Sequence, residues 1–230
     1  IITSNKNLFN SILSGVLFHG IYLGGVFFSI SKGLPTGIAA LIVTLQPVLT
    51  NALAGPLLNE KVSWMQWTGV FFGFLGAVLV LGFDIGSNLP TTAVIATFIS
   101  LLSVTAATLW QKKITNNLPL PVSNMYQAIG GFLFHALIIL FFEKPFIDLT
   151  TTFIVAMSHQ IILVSFGAFS ILMYLLHKGT ASKTVTLFFL VPPTSAFMAW
   201  LFLNETLDAI DILGFGIATF GVYIATRQKN

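Results

Sequence analysis

The chain reads as a series of long apolar runs separated by short polar breaks. Runs of about 20 residues, the length a helix needs to cross a bilayer, cover 8–29, 35–58, 64–82, 91–110, 121–142, 154–176, 181–203 and 207–225. The pattern predicts an all-α fold, a polytopic membrane helix bundle with eight spans and short connections. Two helix starts carry chemical signals. Ser63-Trp64-Met65-Gln66 has the spacing of a capping box ahead of the third span, and Thr206 or Asp208 is placed to cap the eighth.

Two runs are interrupted near their centres. The second contains Gln46-Pro47 and Asn51, and the seventh contains Pro192-Pro193. A proline removes the hydrogen bond to the carbonyl four residues before it. Val43, Phe188 and Phe189 are therefore expected to lose their usual donors, which is costly in hydrocarbon. Pro47, Pro192 and Pro193 are accordingly read as helix hinges beside an internal cavity, with Gln46 and Asn51 facing that cavity rather than lipid. The competing reading is that the prolines only shape packing and that Gln46 bonds to the freed carbonyl.

Composition fixes the class. Of 230 residues, 56% are hydrophobic and 7% charged, and the mean hydropathy is +0.93. A soluble domain carries roughly 25% charged residues, so this is an integral membrane protein. The net charge of +3 comes from bases standing singly or in pairs at the ends of apolar runs, which excludes nucleic acid as a partner. With no cysteine there is no thiolate chemistry.

Charge also orients the spans. Placing Arg227 and Lys229 in the cytoplasm puts Lys6, Lys61, Lys112, Lys113, Lys178 and Lys183 there too, leaving only Lys32 and Lys144 outside. Among the acids, Glu60 falls inside, while Asp84, Glu143, Asp148, Glu205, Asp208 and Asp211 fall outside. The expected location is a bacterial inner (plasma) membrane with both termini cytoplasmic.

The sequence repeats itself. Pro47, Asn59-Glu60, Gly69 and Gly76 recur 145 residues later as Pro192, Asn204-Glu205, Gly214 and Gly221. Lys32-Gly33 recurs as Lys178-Gly179 at a separation of 146. Spans one to three thus reappear as spans six to eight, and alternation gives the two copies opposite orientations. Inverted repeats of this kind are a transporter signature, because they supply two gates that open in turn. The fourth and fifth spans find no counterpart in the chain. Subtracting the separation places their equivalents upstream of Ile1, so the expectation is a chain lacking two spans.

The segment 37–77, from Gly37-Ile38-Ala39-Ala40 through Gln46-Pro47 and Asn59-Glu60-Lys61 to Gly73 and Ala77, closely resembles the EamA-type transporters of the drug/metabolite transporter superfamily. Val191-Pro192-Pro193-Thr194 through Asn204-Glu205, Gly214 and Gly221 repeats the match. The resemblance implies a ten-helix transporter of two inverted five-helix halves, alternating access and a central cavity. On that reading, 1–85 holds the last three helices of the first repeat and 86–230 the complete second repeat. It also implies that polar residues on the spans at 8–29, 35–58, 91–110, 154–176 and 181–203 face substrate. The cavity candidates are then His19, Tyr22, Gln46, Asn51, Ser100, Ser103, Ser165, Tyr174 and Thr194.

Other polar groups read more plainly. Glu60 and Glu205 stand at helix ends, within reach of the amides that open the following span, and are read as structural caps. His135 is read as an interhelical hydrogen-bond partner. His19, His135, His159 and His177 show no metal-ligand spacing, and no span carries a deep carboxylate or base, so neither an enzyme, a cofactor nor a metal is expected. The function expected is export of a small neutral, zwitterionic or aromatic metabolite or drug, with 23 phenylalanines giving the cavity apolar walls. The alternative is a non-transporting membrane scaffold or truncated, inactive transporter. The expected partners are a small-molecule substrate and the lipid bilayer, with self-association into a homodimer left open.

Overall fold

The computed structural model describes residues 4–82, 89–114, 118–142, 146–203 and 208–227. Among them, seven helices are long and apolar enough to cross a membrane. We label these α1 (Asn5–Ser31), α2 (Thr36–Leu58), α3 (Trp64–Leu81), α4 (Thr91–Ile114), α5 (Leu120–Phe142), α6 (Thr151–Lys178) and, at the end of the chain, α8 (Ala209–Thr226). Between α6 and α8 lies α7 (181–203), broken into Ala181–Thr186, a 3-10 turn at Leu187–Leu190, and Val191–Leu203. The expected all-α bundle is what forms. Asp84, Glu143, Lys144, Glu205, Thr206 and Lys229 lie outside the described residues.

The helix starts follow their sequence signals. Ser63 Oγ accepts from the Gln66 amide at 3.2 Å, and Gln66 Oε1 accepts from the Ser63 amide at 2.8 Å. Asp208 does the same for α8, its amide donating to Asp211 Oδ2 at 2.9 Å. At its far end α2 closes on Asn59, which takes a left-handed φ of 56°. Asn tolerates that conformation because its short polar side chain can bond locally. The amides of Asn59 and Glu60 then turn back to Gly55 and Ala54. That turn leaves the Glu60 side chain pointing away from α2.

α3 and α8 pack along a seam of small residues. A Cβ on Gly69 would collide with the backbone of Gly221 and Ala225, and one on Gly76 with the backbone of Gly214 and Ala218. The helices therefore run antiparallel. The contact is also reciprocal: Gly69 corresponds to Gly214 and Gly76 to Gly221 in the repeat, so Gly69 meets the equivalent of Gly76 and Gly76 the equivalent of Gly69. A reciprocal contact is what a two-fold relation requires. With no solvent to drive helices together in lipid, close backbone approach supplies the attraction.

The same irregularities recur in the repeated spans. α1 loosens into π-helical turns at Val16–Leu23, and α6 does so at Gln160–Ala168. α2 tightens at Thr44-Leu45 ahead of Pro47, and α7 tightens at Leu187–Leu190 ahead of Pro192. Their surroundings differ, however. α1 is packed on α5 through Gly15, Gly130 and Gly131, and α4 lies against it as well. α6 presents Ile154, Val155, Ile161, Ile162, Leu163 and Phe166 as an exposed apolar face.

The seam gives a direct expectation. Gly76→Val must push α3 off α8 and should lower the melting temperature of the detergent-solubilised protein, by about 1–3 kcal/mol of stability. Gly216→Ala, which faces open space, should leave it within about 0.5 kcal/mol of the parent.

Candidate functional site

A cavity of about 770 Å³ lies between α1, α2, α3, α4 and α7. That volume falls within the range of small-molecule sites, about 300–1,000 Å³. Its deep end is formed by Phe18, Gln46, Pro47, Val104 and Phe188. Its other end reaches Ile30 in the last turn of α1, Thr36 at the first residue of α2, and Leu81 at the last of α3. The cavity therefore runs from mid-bundle to the end marked by the Lys32-Gly33 turn. Among the described residues its lining has no charged side chain and no histidine.

The opposite end is sealed by hydrogen bonds. Glu60 Oε1 accepts from the Ala181 amide at 2.7 Å, and Glu60 Oε2 accepts from the Ser182 amide at 3.1 Å and the Ser182 hydroxyl at 2.8 Å. A carboxylate on the first amides of a helix also meets the positive end of its dipole. From the other side, Lys112 Nζ donates to the carbonyls of Leu176, at 2.7 Å, and Gly179. Asn51 Nδ2 donates to Pro47 O at 2.7 Å and Ser182 O at 3.4 Å. An acid from the end of α2 and a base from α4 thus grip the α6–α7 turn by its exposed amides and carbonyls.

Glu60 is consequently a cap, but for another helix than the following one. α3 already has Ser63 and Gln66, which leaves the carboxylate free to cross to α7. No signal local to residue 60 could have shown this, because the partners are more than a hundred residues away.

The sequence candidates divide by location. Tyr22, Gln46, Pro47 and Pro192 line the cavity. Pro193 is buried just behind it, and Thr194 is exposed on another face, its neighbour Ser195 lining the cavity instead. Asn51 is buried in the seal. Ser100 and Ser103 turn to the backbone of α1, Ser103 Oγ donating to Leu17 O at 2.9 Å and Ser100 Oγ bonding mainly to Ala96 O at 2.9 Å. Ser165 and Tyr174 stand exposed on α6, which contributes nothing to the lining. His19 lies outside it too. Its ring sits 4.6 Å from that of Phe169 and against Gly131, while its carbonyl accepts from His135 Nε2 at 3.0 Å. On a regular helix His19 and Tyr22, three residues apart, would share a face; the π-helical turns at Val16–Leu23 change that rotation. Thr36 and Thr44 were missed as lining residues; Thr36 corresponds to Ser182 in the repeat, which was the available signal.

The chain tightens just ahead of the prolines. The 3-10 turn lets the Val191 amide reach Phe188 O, so that carbonyl does not depend on a ligand. In α2 the Leu45 amide returns to Ile42 O at 3.1 Å. Gln46 does not close a freed carbonyl either; its amide donates to Thr108 Oγ1 at 3.0 Å.

Two outcomes follow. Glu60→Ala strands two amides of α7 and should destabilise the protein by about 1–3 kcal/mol in chemical or thermal unfolding. His19→Ala removes an aromatic contact in the α1–α5–α6 packing, so it should lower thermal stability while leaving ligand affinity within about twofold.

The EamA-like transporter family matches residues 2–82 and 91–227 of the chain. An inner membrane transporter of Escherichia coli named YedA is 24% identical over 97% of this chain and 72% of its own length. A chloroplastic WAT1-related protein of Arabidopsis thaliana is 22% identical over 84% of the chain, which spans 49% of that relative. A Salmonella typhimurium protein named as a probable amino-acid metabolite efflux pump is 22% identical over 86% of the chain and 70% of its own length. A crystal structure of a protein 16% identical in sequence superposes with a TM-score of 0.74 over 96% of this chain and 86% of that one, and shares its fold. With its apolar spans, its reciprocal helix seam and a family match running nearly end to end, this integral membrane protein belongs to the EamA-like transporter family.

Proposed function

We propose that the chain exports a small neutral, zwitterionic or aromatic solute across a bacterial inner (plasma) membrane by alternating access. The observation that carries this reading is the asymmetry of the bundle. The cavity of about 770 Å³ reaches one end, while at the other a separate hollow of about 400 Å³ surrounds Glu60 and Lys112, and Glu60, Asn51 and Lys112 tie the α6–α7 turn in place between the two. The sealed end carries Lys61, Lys112, Lys113 and Lys178. By the positive-inside rule it is cytoplasmic, which makes both termini cytoplasmic and the cavity outward-reaching.

The irregular helices supply the means of exchange. α2 and α7 bend where Pro47 and Pro192 interrupt them, and both carry cavity residues above the bend and seal residues below it. The tight α3–α8 seam gives a fixed body against which they can rock. A motion that releases Glu60 from α7 while closing the Thr36 end would turn the same cavity to the cytoplasm. The Salmonella relative's name accords with the outward direction.

The test is flux. Purified protein in liposomes should move aromatic and zwitterionic solutes above an empty-vesicle control. Cysteine at Lys113 should be labelled by an impermeant reagent only from the cytoplasmic side, and cysteine at Lys32 only from outside. Labelling of both from one side would end the orientation argument, and absence of any flux would favour a scaffold.

A further inference from the structure

The polar atoms that the cavity offers are biased in one direction. Thr108 Oγ1 donates its hydrogen to Val104 O at 2.8 Å, so toward Gln46 it can only accept. Gln46 must therefore present its NH2 group to Thr108, at 3.0 Å. Its carbonyl oxygen Oε1 is left without a hydrogen-bond partner among the described residues, on a residue that lines the cavity. Thr44, two residues away and also in the lining, donates its hydroxyl hydrogen to Ala40 O at 2.7 Å. It too is left with lone pairs only. The rings of Phe18, Tyr22 and Phe188 line the same cavity.

Tyr22, Thr36 and Ser195 have hydroxyls that can turn either way, so they do not discriminate. Among the described residues no Lys, Arg or His lies in the lining to attract an anion. Lys32, at the mouth, holds its ammonium 5.3 Å from the centre of the Phe28 ring. A solute carboxylate at the deep end would therefore meet two acceptors and no committed donor.

Resting on the transporter reading above, we propose that this cavity selects solutes bearing a hydrogen-bond donor cation, a primary or secondary ammonium on an aromatic body. Gln46 Oε1 and Thr44 Oγ1 receive the N–H groups, and the aromatic faces stabilise the charge. Thr108 is a positioning residue. It never touches the solute but fixes which end of the Gln46 amide faces it.

Tryptamine and 3-indolepropionate share ring and chain length and differ in the terminal ammonium or carboxylate. Calorimetric titration of the full chain in lipid nanodiscs should show tryptamine binding at least about tenfold more tightly, the difference expected of one or two charge-assisted bonds. Gln46→Met should weaken tryptamine by about tenfold and leave 3-indolepropionate unchanged. Thr108→Val is near-isosteric and releases the amide to turn over, so it should narrow the ratio between the two probes without lowering the melting temperature of the protein by more than a few degrees. Equal affinity, preference for the acid, or binding of neither probe by the parent protein would overturn the proposal. An unchanged ratio in a folded Thr108→Val protein would overturn the positioning role. Liposome flux separates the two readings: transport of solutes without amine preference sinks the selectivity and keeps the transporter, whereas amine binding without any flux does the reverse.

Discussion

In hydrocarbon a backbone carbonyl or amide has no water to turn to, and every irregularity in this bundle is shaped by that constraint. Proline at 47, 192 and 193 forbids the ordinary bond, so the chain tightens before it, at Thr44-Leu45 and at Leu187–Leu190. Side-chain hydroxyls obey the same constraint. Thr44, Thr97, Thr105, Thr108 and Thr186 each return a hydrogen to the carbonyl four residues earlier. A hydroxyl committed in this way becomes an acceptor for whatever approaches next. The chemistry of the cavity is thus set by how its walls satisfy themselves.

The second constraint is contact without a hydrophobic drive. Apolar side chains lose nothing by facing lipid, and long exposed rows of Phe, Leu and Ile on α5 and α6 do so. Helices hold together where small residues bring backbones close, or where buried polar groups meet. α3 and α8 use glycine and alanine throughout. α1, α4 and α5 add a polar knot, Ser14 Oγ lying 3.2 Å from Oε1 of both Gln111 and Gln127. Neither device ties α2 to α7 along their length. Those helices meet at the Asn51–Ser182 and Glu60–Ala181 bonds, which leaves their upper halves free to border a cavity.

Much of this was legible in order of periodicity. Twenty-residue apolar runs, Ser63 and Asp208 as caps, and the prolines as breaks follow from local chemistry, and the fold followed from them. Gln46 beside Pro47 was read from the break itself, whereas Tyr22, which lines the same cavity, came only from the family resemblance. What could not be read was rotation. The π-helical turns at Val16–Leu23 carry His19 toward α5 and α6, and an i+3 rule built on a regular helix places it with Tyr22. Ser100 and Ser103 share a helix with cavity residue Val104 yet face the backbone of α1. Partners a hundred residues apart, such as Glu60 and Ser182, depend on tertiary geometry that no window on the sequence contains.

The sealed end also shows why charged groups sit where they do. Glu60 and Lys112 could have neutralised each other directly, as the residues of an ion pair. Instead the acid takes the amides that open α7 and the base takes the carbonyls that close α6. Each half-bond joins a charge to a helix end, so the two together fix the position and the tilt of the turn, which a single acid–base contact would not. All these groups lie at the ends of the spans, where water can replace a lost partner. The same charges at the depth of Gln46 would find no such replacement, and releasing them would cost several kcal/mol each. On the alternating-access reading proposed above, a contact that must open belongs at the boundary with charged caps, and one that must persist belongs deeper, with neutral groups. The Glu60–Ser182 and Gln46–Thr108 bonds, one at the end of α2 and one beside its Pro47 break, are the contacts to which that reading would give these two tasks.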